Sequence, residues 1–450
     1  MTPFELDSAH PDSAVPTLRV RSWYIDGVDP QAPAPFSAGL PQTPAEFLAQ
    51  LPTSGISCWV RGTSGLVGFG RAVRLRARGA ARFADLSRLW ARLAAAALVE
   101  DPVAHAGSGL VGFSAIAFSA QSGTDSVIDV PRFLLGRRDG RVWLTSMTVV
   151  GQEEDSAEPL TLTTAPLTPV VGATSAPGTV SGTHYTEIVR TAAARMRELG
   201  PERLGKVVLA RDEVVQAPAP IDVRAVLGQL NRAYPSTWTF DVAGLIGATP
   251  ELLIGVDGDT VSSRVLAGTY RVQDDPAAEL AQAREQLGGS KDTTEHSFAI
   301  DSLARSLGAV TESLHVDAEP HLLQLRNVIH LASDAHGTLA RDADGRRLGA
   351  IDVAEAVHPT AAVGGYPKEA ALAAIDELES ADRGRYAGPV GWIDGNGNGQ
   401  FGIALRCGQL EAPDRIRIWA GAGIMPDSDP ESELAETEAK LAPMKRALGL

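Results

Sequence analysis

The pattern of hydrophobic and polar positions divides the chain into a strand-rich first part and a second part where strands and helices are easier to separate. In the first part, SCWVRGTSGLVGFGRAVRLRA (57–77) and GLVGFSAIAFS (109–119) read as strands. RFLLG-RRDG-RVWLTSM (132–147) reads as a hairpin turned by Asp-Gly. Between them, FADLSRLWARLAAAALV (83–99) sets Leu86, Leu89, Trp90, Leu93 and Leu98 along one face of a helix. A stretch rich in Thr, Pro, Ser, Gly and Ala (151–182) reads as a linker or long surface connection. Beyond it, THYTEIVRTAAARMRELG (183–200) predicts an amphipathic helix that opens at a Thr and stops at a Gly. KVVLARDEVVQ (206–216) reads as a strand and ELLIGV-DG-DTVSSRVLAGT (251–269) as a hairpin. KDTTEHSFAIDSLARSL (291–307) reads as a helix, and strands at 387–394, 400–409 and 415–421 form a meander before a final helix, ESELAETEAKLAPMKRAL (431–448). Hairpins interspersed with helices predict an α+β fold with antiparallel sheets rather than alternating βαβ units.

Composition changes this picture in two ways. At ~150 residues per domain, 450 residues allow three domains, and 44% hydrophobic content is enough for a large core. No apolar run approaches the ~18 residues that span a bilayer, and the opening MTPFELDSAHPDSAV has neither a basic flank nor an apolar stretch. Two cysteines, Cys58 and Cys407, make no disulfide framework, so a cytoplasmic, non-membrane protein is expected. A net charge of −15 argues against nucleic acid as a general partner. The second change concerns lysine. Of 40 basic residues only Lys206, Lys291, Lys368, Lys440 and Lys445 are lysines, and none precedes position 206. An ammonium can lose its proton near neutral pH and a guanidinium cannot, so each lysine is a candidate for chemistry.

Several motifs dissolve on inspection. DGNGNGQFGIAL (394–405) begins like a calcium loop but has Leu405 where a bidentate Glu is needed, and strands flank it, so it reads as a hairpin turn. The nine histidines lack metal-ligand spacing such as HExxH, and there is no GxSxG. What remains are two acidic helices. Asp292 and Glu295 lie i,i+3 on one; Glu433, Glu436 and Lys440 share a face of the other. Either helix alone reads as a solvated, salt-bridged surface. Meeting, the two could offer carboxylates to magnesium. Lys206 opens a strand and Glu251 begins another; for both, an exposed strand end is the competing reading.

The motifs GKVVLAR (205–211), GATPELL (247–253), LAGT (266–269), SKDTTEH (290–296), NVIHLAS (327–333), HPTAAVGGYPK (358–368), RGRYAGPVGW (383–392), FGIALRC (401–407) and AGAGI (420–424) with ELAETEAKL (433–441) occur in the order seen in chorismate-utilising enzymes. The resemblance covers 184–448 firmly and 55–150 more loosely. It implies the fold of anthranilate synthase component I: two antiparallel sheets sandwiched with flanking helices, with 1–182 and 183–450 forming one large domain. Within the family, lysine at position 206 resembles the water-using branch, where aminating anthranilate synthases carry glutamine. Ala362 in TAAVGG resembles isochorismate synthases, where salicylate synthases tend to carry threonine.

The resemblance therefore implies an isochorismate synthase that converts chorismate to isochorismate for menaquinone or catechol-siderophore synthesis. Salicylate synthase is the alternative; an aminating enzyme and a non-catalytic carboxylate-binding module are more distant ones. By the same resemblance Lys206 is the general base, which must act as a neutral amine, and Glu251 is the general acid. Glu295 and Glu436 are direct ligands of Mg²⁺, with Asp292 and Glu433 acting through bound water. Tyr386, Arg406 and the backbone N–H near Gly421 clamp the enolpyruvyl carboxylate. Lys440, with Gly268 and Thr269, faces the ring carboxylate; His330 lies near the ring and Ala362 lines it. A monomer without a glutamine amidotransferase subunit is expected.

Overall fold

The computed structural model describes residues 3–10, 13–25, 48, 51–53, 55–151, 165–272, 279–287, 289–324, 328–342 and 345–450, with 267, 269, 271 and 290–296 described by their backbone alone. Among these residues, 22 strands form one hydrogen-bonded network, antiparallel at nearly every pairing. Besides the pairing with Arg141–Val149, two long branches run from the strand Ser126–Arg138. One branch continues through Ser64–Ala77, Ile56–Arg61, Trp238–Val242, Leu245–Thr249, Cys407–Ala412 and Arg415–Ile424 to Lys206–Gln216. The other continues through Val111–Ala115, Pro389–Asp394, Gly399–Ile403, Leu252–Asp257 and Thr260–Arg271 to Val328–Leu339. The expected α+β fold of antiparallel sheets with flanking helices is the one observed, the sheets being joined through a shared strand.

Local sequence explains most boundaries. The Asp-Gly hairpin turns between Ser126–Arg138 and Arg141–Val149 with Asp139 and Gly140 both at positive φ, 51° and 80°, as a tight right-twisted turn requires. Helix Gly182–Leu199 is capped by Ser181, whose hydroxyl accepts the His184 N–H at 3.2 Å, and ends at Gly200 with φ 78°. The cap is thus Ser181 rather than Thr183, because Ser181 is the residue in extended conformation. The predicted helix 83–99 runs Arg82–Ala96; Ala97 turns extended and Leu98–Glu100 becomes a short strand beside Leu18–Tyr24. In the 151–182 connection, 152–164 lies outside the described residues, and Thr174–Pro177 pairs as a strand with Glu213–Gln216.

The predicted meander at 387–421 is corrected. Pro389–Asp394 and Gly399–Ile403 form a hairpin, with Asp394 accepting the Asn396 and Asn398 N–H groups as a turn residue rather than a calcium ligand. The run 400–409 is two strands, not one. Gly399–Ile403 belongs to one branch of the network and Cys407–Ala412 to the other, paired with Leu245–Gly247. The chain changes branch across 404–406, and Arg406 takes the left-handed conformation, φ 50°, to do so.

The branches pack on each other: the Trp59 indole N–H donates to Gln400 Oε1 at 2.9 Å, and the main core takes residues from the whole length, including Val20, Trp90, Phe113, Leu209 and Phe401. The final helix, Pro430–Ala447, opens with an Asp429 cap and packs on Arg415–Ile424 and on helix Gly182–Leu199. Helix Lys368–Leu378 packs on Lys206–Gln216, and helix Ser290–Gly308 on Thr260–Arg271. No described helix is long and apolar enough to cross a membrane.

Phe113 is fully buried on the strand that joins Ser126–Arg138 to Pro389–Asp394. Phe113→Ala should cost about 3–5 kcal/mol. It is read as a lower denaturant midpoint; an unchanged midpoint would show that this seam carries little of the stability.

Candidate active site

The strand Lys206–Gln216 pairs along one edge with Arg415–Ile424 over its whole length. Among the described residues its other edge has two short partners, Gly365–Tyr366 at 206–207 and Thr174–Pro177 at 213–216. Between them the backbone groups are met by other means. The Val208 N–H donates to Gly364 O, the Val208 carbonyl accepts from Arg383, and the Ala210 N–H donates to Glu379. Asp212 receives the Thr179 and Val180 N–H groups on its carboxylate. Closing an edge with side chains instead of a strand leaves room beside it, and a cavity of about 460 Å³ opens there.

Ten of the fourteen residues singled out from sequence line that cavity: Glu251, Gly268, His330, Ala362, Tyr386, Arg406, Gly421, Glu433, Glu436 and Lys440. Lys206 is fully buried at the strand's start and is not part of the wall, but it shares a strand face with Val208, which is. Its charge is felt at Glu251. The side chains of Thr269, Asp292 and Glu295 lie outside the described residues, although Asp292 and Glu295 sit on helix Ser290–Gly308 as expected.

The branch change at 404–406 aims Arg406 into the cavity. A strained, left-handed arginine is tolerated because the backbone on both sides is pinned, with the Arg406 carbonyl accepting from Ala248 N–H. Across from it, Tyr386 stacks on Trp419, ring centres 5.8 Å apart, and burial pushes its phenol up so that it stays a neutral hydroxyl. Gly421 is needed for fit: a Cβ there would stand 2.8 Å from Leu209 O and 3.2 Å from the Tyr386 hydroxyl.

Glu251 follows Pro250 at the start of a strand and is buried rather than exposed. Burial raises its carboxyl from 4.5 to about 8, against the opposing charges of Lys206, Lys440 and Arg406. It therefore carries a proton at neutral pH. His330 pairs with a bulge in strand Thr260–Arg271 where Gly268 has φ 70°. Its Nδ1 lies 3.0 Å from Gly268 O, and since a carbonyl only accepts, the ring proton is on Nδ1. Burial, with Arg406 nearby, lowers its pKa to about 3, so the ring is neutral.

The final helix presents Glu433, Glu436 and Lys440 on one face, as its i,i+3,i+7 spacing dictates. Lys440 Nζ reaches Glu436 Oε1 at 2.6 Å and the Gly421 carbonyl at 2.9 Å. Glu433 accepts from the Ser428 hydroxyl at 2.6 Å. Two carboxylates on a cavity wall form an all-oxygen donor set, the kind that suits a hard divalent cation. Asp317, His321 and Asp334 also bring ligand atoms within 4.8 Å of one another, but Arg264 holds both oxygens of Asp334 and that group stays an ion-pair network.

Sequence reasoning missed Arg383, Trp419 and Gln286 in the wall. Arg383 stood inside a quoted motif; nothing in the sequence marked the other two. Lys368 donates to the His358 carbonyl at 2.9 Å, outside the cavity. Lys445 bridges Glu213 and Glu438.

A family model described as "Chorismate binding enzyme" matches residues 43–449. A Mycobacterium tuberculosis protein, provisionally named isochorismate synthase MenF, is 39% identical over 277 residues, 58% of this chain and 73% of its own. Isochorismate synthase EntC of Escherichia coli is 34% identical over 273 residues, 60% of this chain and 68% of its own. The solved structure of MenF, the menaquinone-specific isochorismate synthase from Escherichia coli, superposes with a TM-score of 0.76 at 23% identity, covering 98% of this chain and 97% of that one.

The protonated Glu251 has a consequence for stability. Its folded value of about 8 exceeds the ordinary 4.5, so between these values the folded protein holds a proton that the unfolded chain has released. Stability is therefore full below about 4.5 and falls as pH rises towards 8. Denaturant midpoints across this window should fall less for Glu251→Gln than for wild type; parallel curves would mean the carboxyl is not held protonated.

Proposed function

The chain belongs to the chorismate binding enzyme family, and from that footing we propose that it is an isochorismate synthase, an isomerase that converts chorismate to isochorismate. The observation that carries this reading is the buried, proton-bearing Glu251 within electrostatic reach of a fully buried lysine, Lys206. Adding water at carbon 2 while hydroxide leaves carbon 4 requires a base at one position and an acid at the other, with the double bonds shifting between them. Lys206, as the general base, takes the proton of the attacking water. Glu251 gives its proton to the departing hydroxyl, so one water enters and one leaves.

The two groups feel each other: the charge of Lys206 opposes the rise that burial gives the Glu251 pKa. Arg406, Tyr386 and the Gly421 backbone hold the enolpyruvyl carboxylate, the guanidinium through its planar two-donor edge. Lys440 faces the ring carboxylate from the final helix, His330 approaches the ring as a neutral group, and the small Ala362 leaves the ring room. Glu433 and Glu436, with Asp292 and Glu295, would hold Mg²⁺. The bound ion supplies positive charge against the ring carboxylate and polarises the diene. The two halves of the chain act as one catalytic unit, a monomer that uses water and needs no ammonia-supplying subunit, and the product enters menaquinone or catechol-siderophore synthesis.

With chorismate and Mg²⁺, the purified protein should accumulate isochorismate, and a chelator should abolish turnover. Free salicylate and pyruvate, or an amino product formed only with ammonia, would sink the assignment. Lys206→Ala and Glu251→Gln should each lower kcat by about 10²–10⁴ with the fold intact. In wild type, kcat should also decline as pH rises through about 8, where Glu251 loses its proton.

A further inference from the structure

Arg383 and Glu379 lie outside the roles assigned above, yet their side chains tie three pieces of the cavity together. Glu379 ends helix Lys368–Leu378, and Arg383 follows four residues later. Both are almost fully buried, at 5% and 7% exposure. Arg383 Nε and Nη2 donate to the two Glu379 oxygens at 2.8 and 2.5 Å. Nη2 also donates to Val208 O at 2.7 Å, and Nη1 to Val363 O at 3.2 Å. Glu379 in turn accepts the Ala210 N–H at 2.7 Å. The guanidinium stands 4.5 Å over the Phe118 ring and its edge forms part of the cavity wall.

The segments joined in this way matter individually. Val208 and Ala210 share a strand with Lys206. Val363 adjoins Ala362, and both line the cavity. The Arg383 carbonyl accepts the Tyr386 N–H at 3.0 Å, so the same residue starts the turn that carries Tyr386. A planar group with five donors can hold a carboxylate and two carbonyls at fixed spacing; a lysine ammonium cannot.

We propose that the Arg383–Glu379 pair is a positioning device that sets the gap between the Lys206 strand and the Ala362–Val363 turn, and thereby keeps isochorismate from losing pyruvate. This rests on the isochorismate synthase reading. Pyruvate loss needs the enolpyruvyl arm to swing over the ring: the hydrogen on carbon 2 passes to the arm's methylene carbon, the bond from carbon 3 to oxygen breaks, and the ring becomes aromatic as salicylate. Atoms balance without a co-reactant, so the reaction is open to any bound isochorismate that has room for the swing. A wall held at fixed spacing denies that room.

The test compares wild type, Arg383→Lys and the double variant Glu379→Met/Arg383→Met with chorismate and Mg²⁺, measuring kcat, KM, melting temperature and the ratio of pyruvate to isochorismate. Arg383→Lys keeps the charge opposite Glu379 but loses the carbonyl contacts; kcat should fall by about tenfold or more with KM little changed, since small misplacements are costly. The pyruvate ratio should rise several-fold. If Arg383→Lys does not fold, the double variant decides, because it removes both charges together and leaves no unpaired buried ion. A folded variant of either kind with wild-type kcat and product ratio overturns the proposal and leaves the pair a structural tie. Failure of the isochorismate reading is visible in wild type alone, before any variant is compared.

Discussion

An unpaired strand edge inside a protein must be satisfied, and along Lys206–Gln216 that requirement shapes everything around the cavity. A full-length neighbouring strand would have filled the space where Glu251, Tyr386 and Arg406 converge. Two short strands and a set of side chains satisfy the same backbone groups while leaving a hollow. The solution needs buried charge: Arg383 against Glu379, and Asp212 receiving N–H groups and the Arg417 guanidinium. Such pairs are expensive to desolvate and stable only when every donor and acceptor is met. Because each also holds backbone, removing one partner disturbs the cavity and not only the pair.

The electrostatics follow from the same enclosure. In a chain of charge −15, Arg406 and Lys440 bring positive charge to the cavity lining. Burial pushes Glu251 and His330 towards their neutral forms, Glu251 keeping its proton and His330 directing its own at Gly268 O. Glu436, by contrast, has the Lys440 ammonium at 2.6 Å. Two carboxyls lining one cavity thus sit in contrasting surroundings, one buried and one paired with a lysine.

Much of this was legible in the sequence, and the omissions have physical causes. Helix periodicity located 183–200 because one apolar face recurs through several turns. The Asp-Gly turn located a hairpin because few other pairs accept two positive φ values. The branch change at 404–406 was hidden: residues 400–409 alternate as one strand would, and a left-handed arginine leaves no mark in sequence. Arg383 was passed over because the carbonyls it holds, those of Val208 and Val363, are distant in the chain. Glu251 looked like an exposed strand end because burial by segments far away cannot be seen from its neighbours. The cavity itself was legible only through the resemblance, which supplied the order of motifs but not the packing that brings them together.

The scarcity of lysine now has a physical reading. Where this chain anchors several acceptors at fixed angles it uses arginine: Arg224 grips Asp222 and the Leu51 carbonyl, and Arg383 holds a carboxylate and two carbonyls. Where a compact charge must sit against one carboxylate in a tight corner it uses lysine, as at Lys440. At position 206 the proposed role is that of a base. Arginine there would be a permanent cation unable to accept a proton from water, and glutamine would offer no base at all, so of these three residue types lysine is the one that fits the proposed reaction.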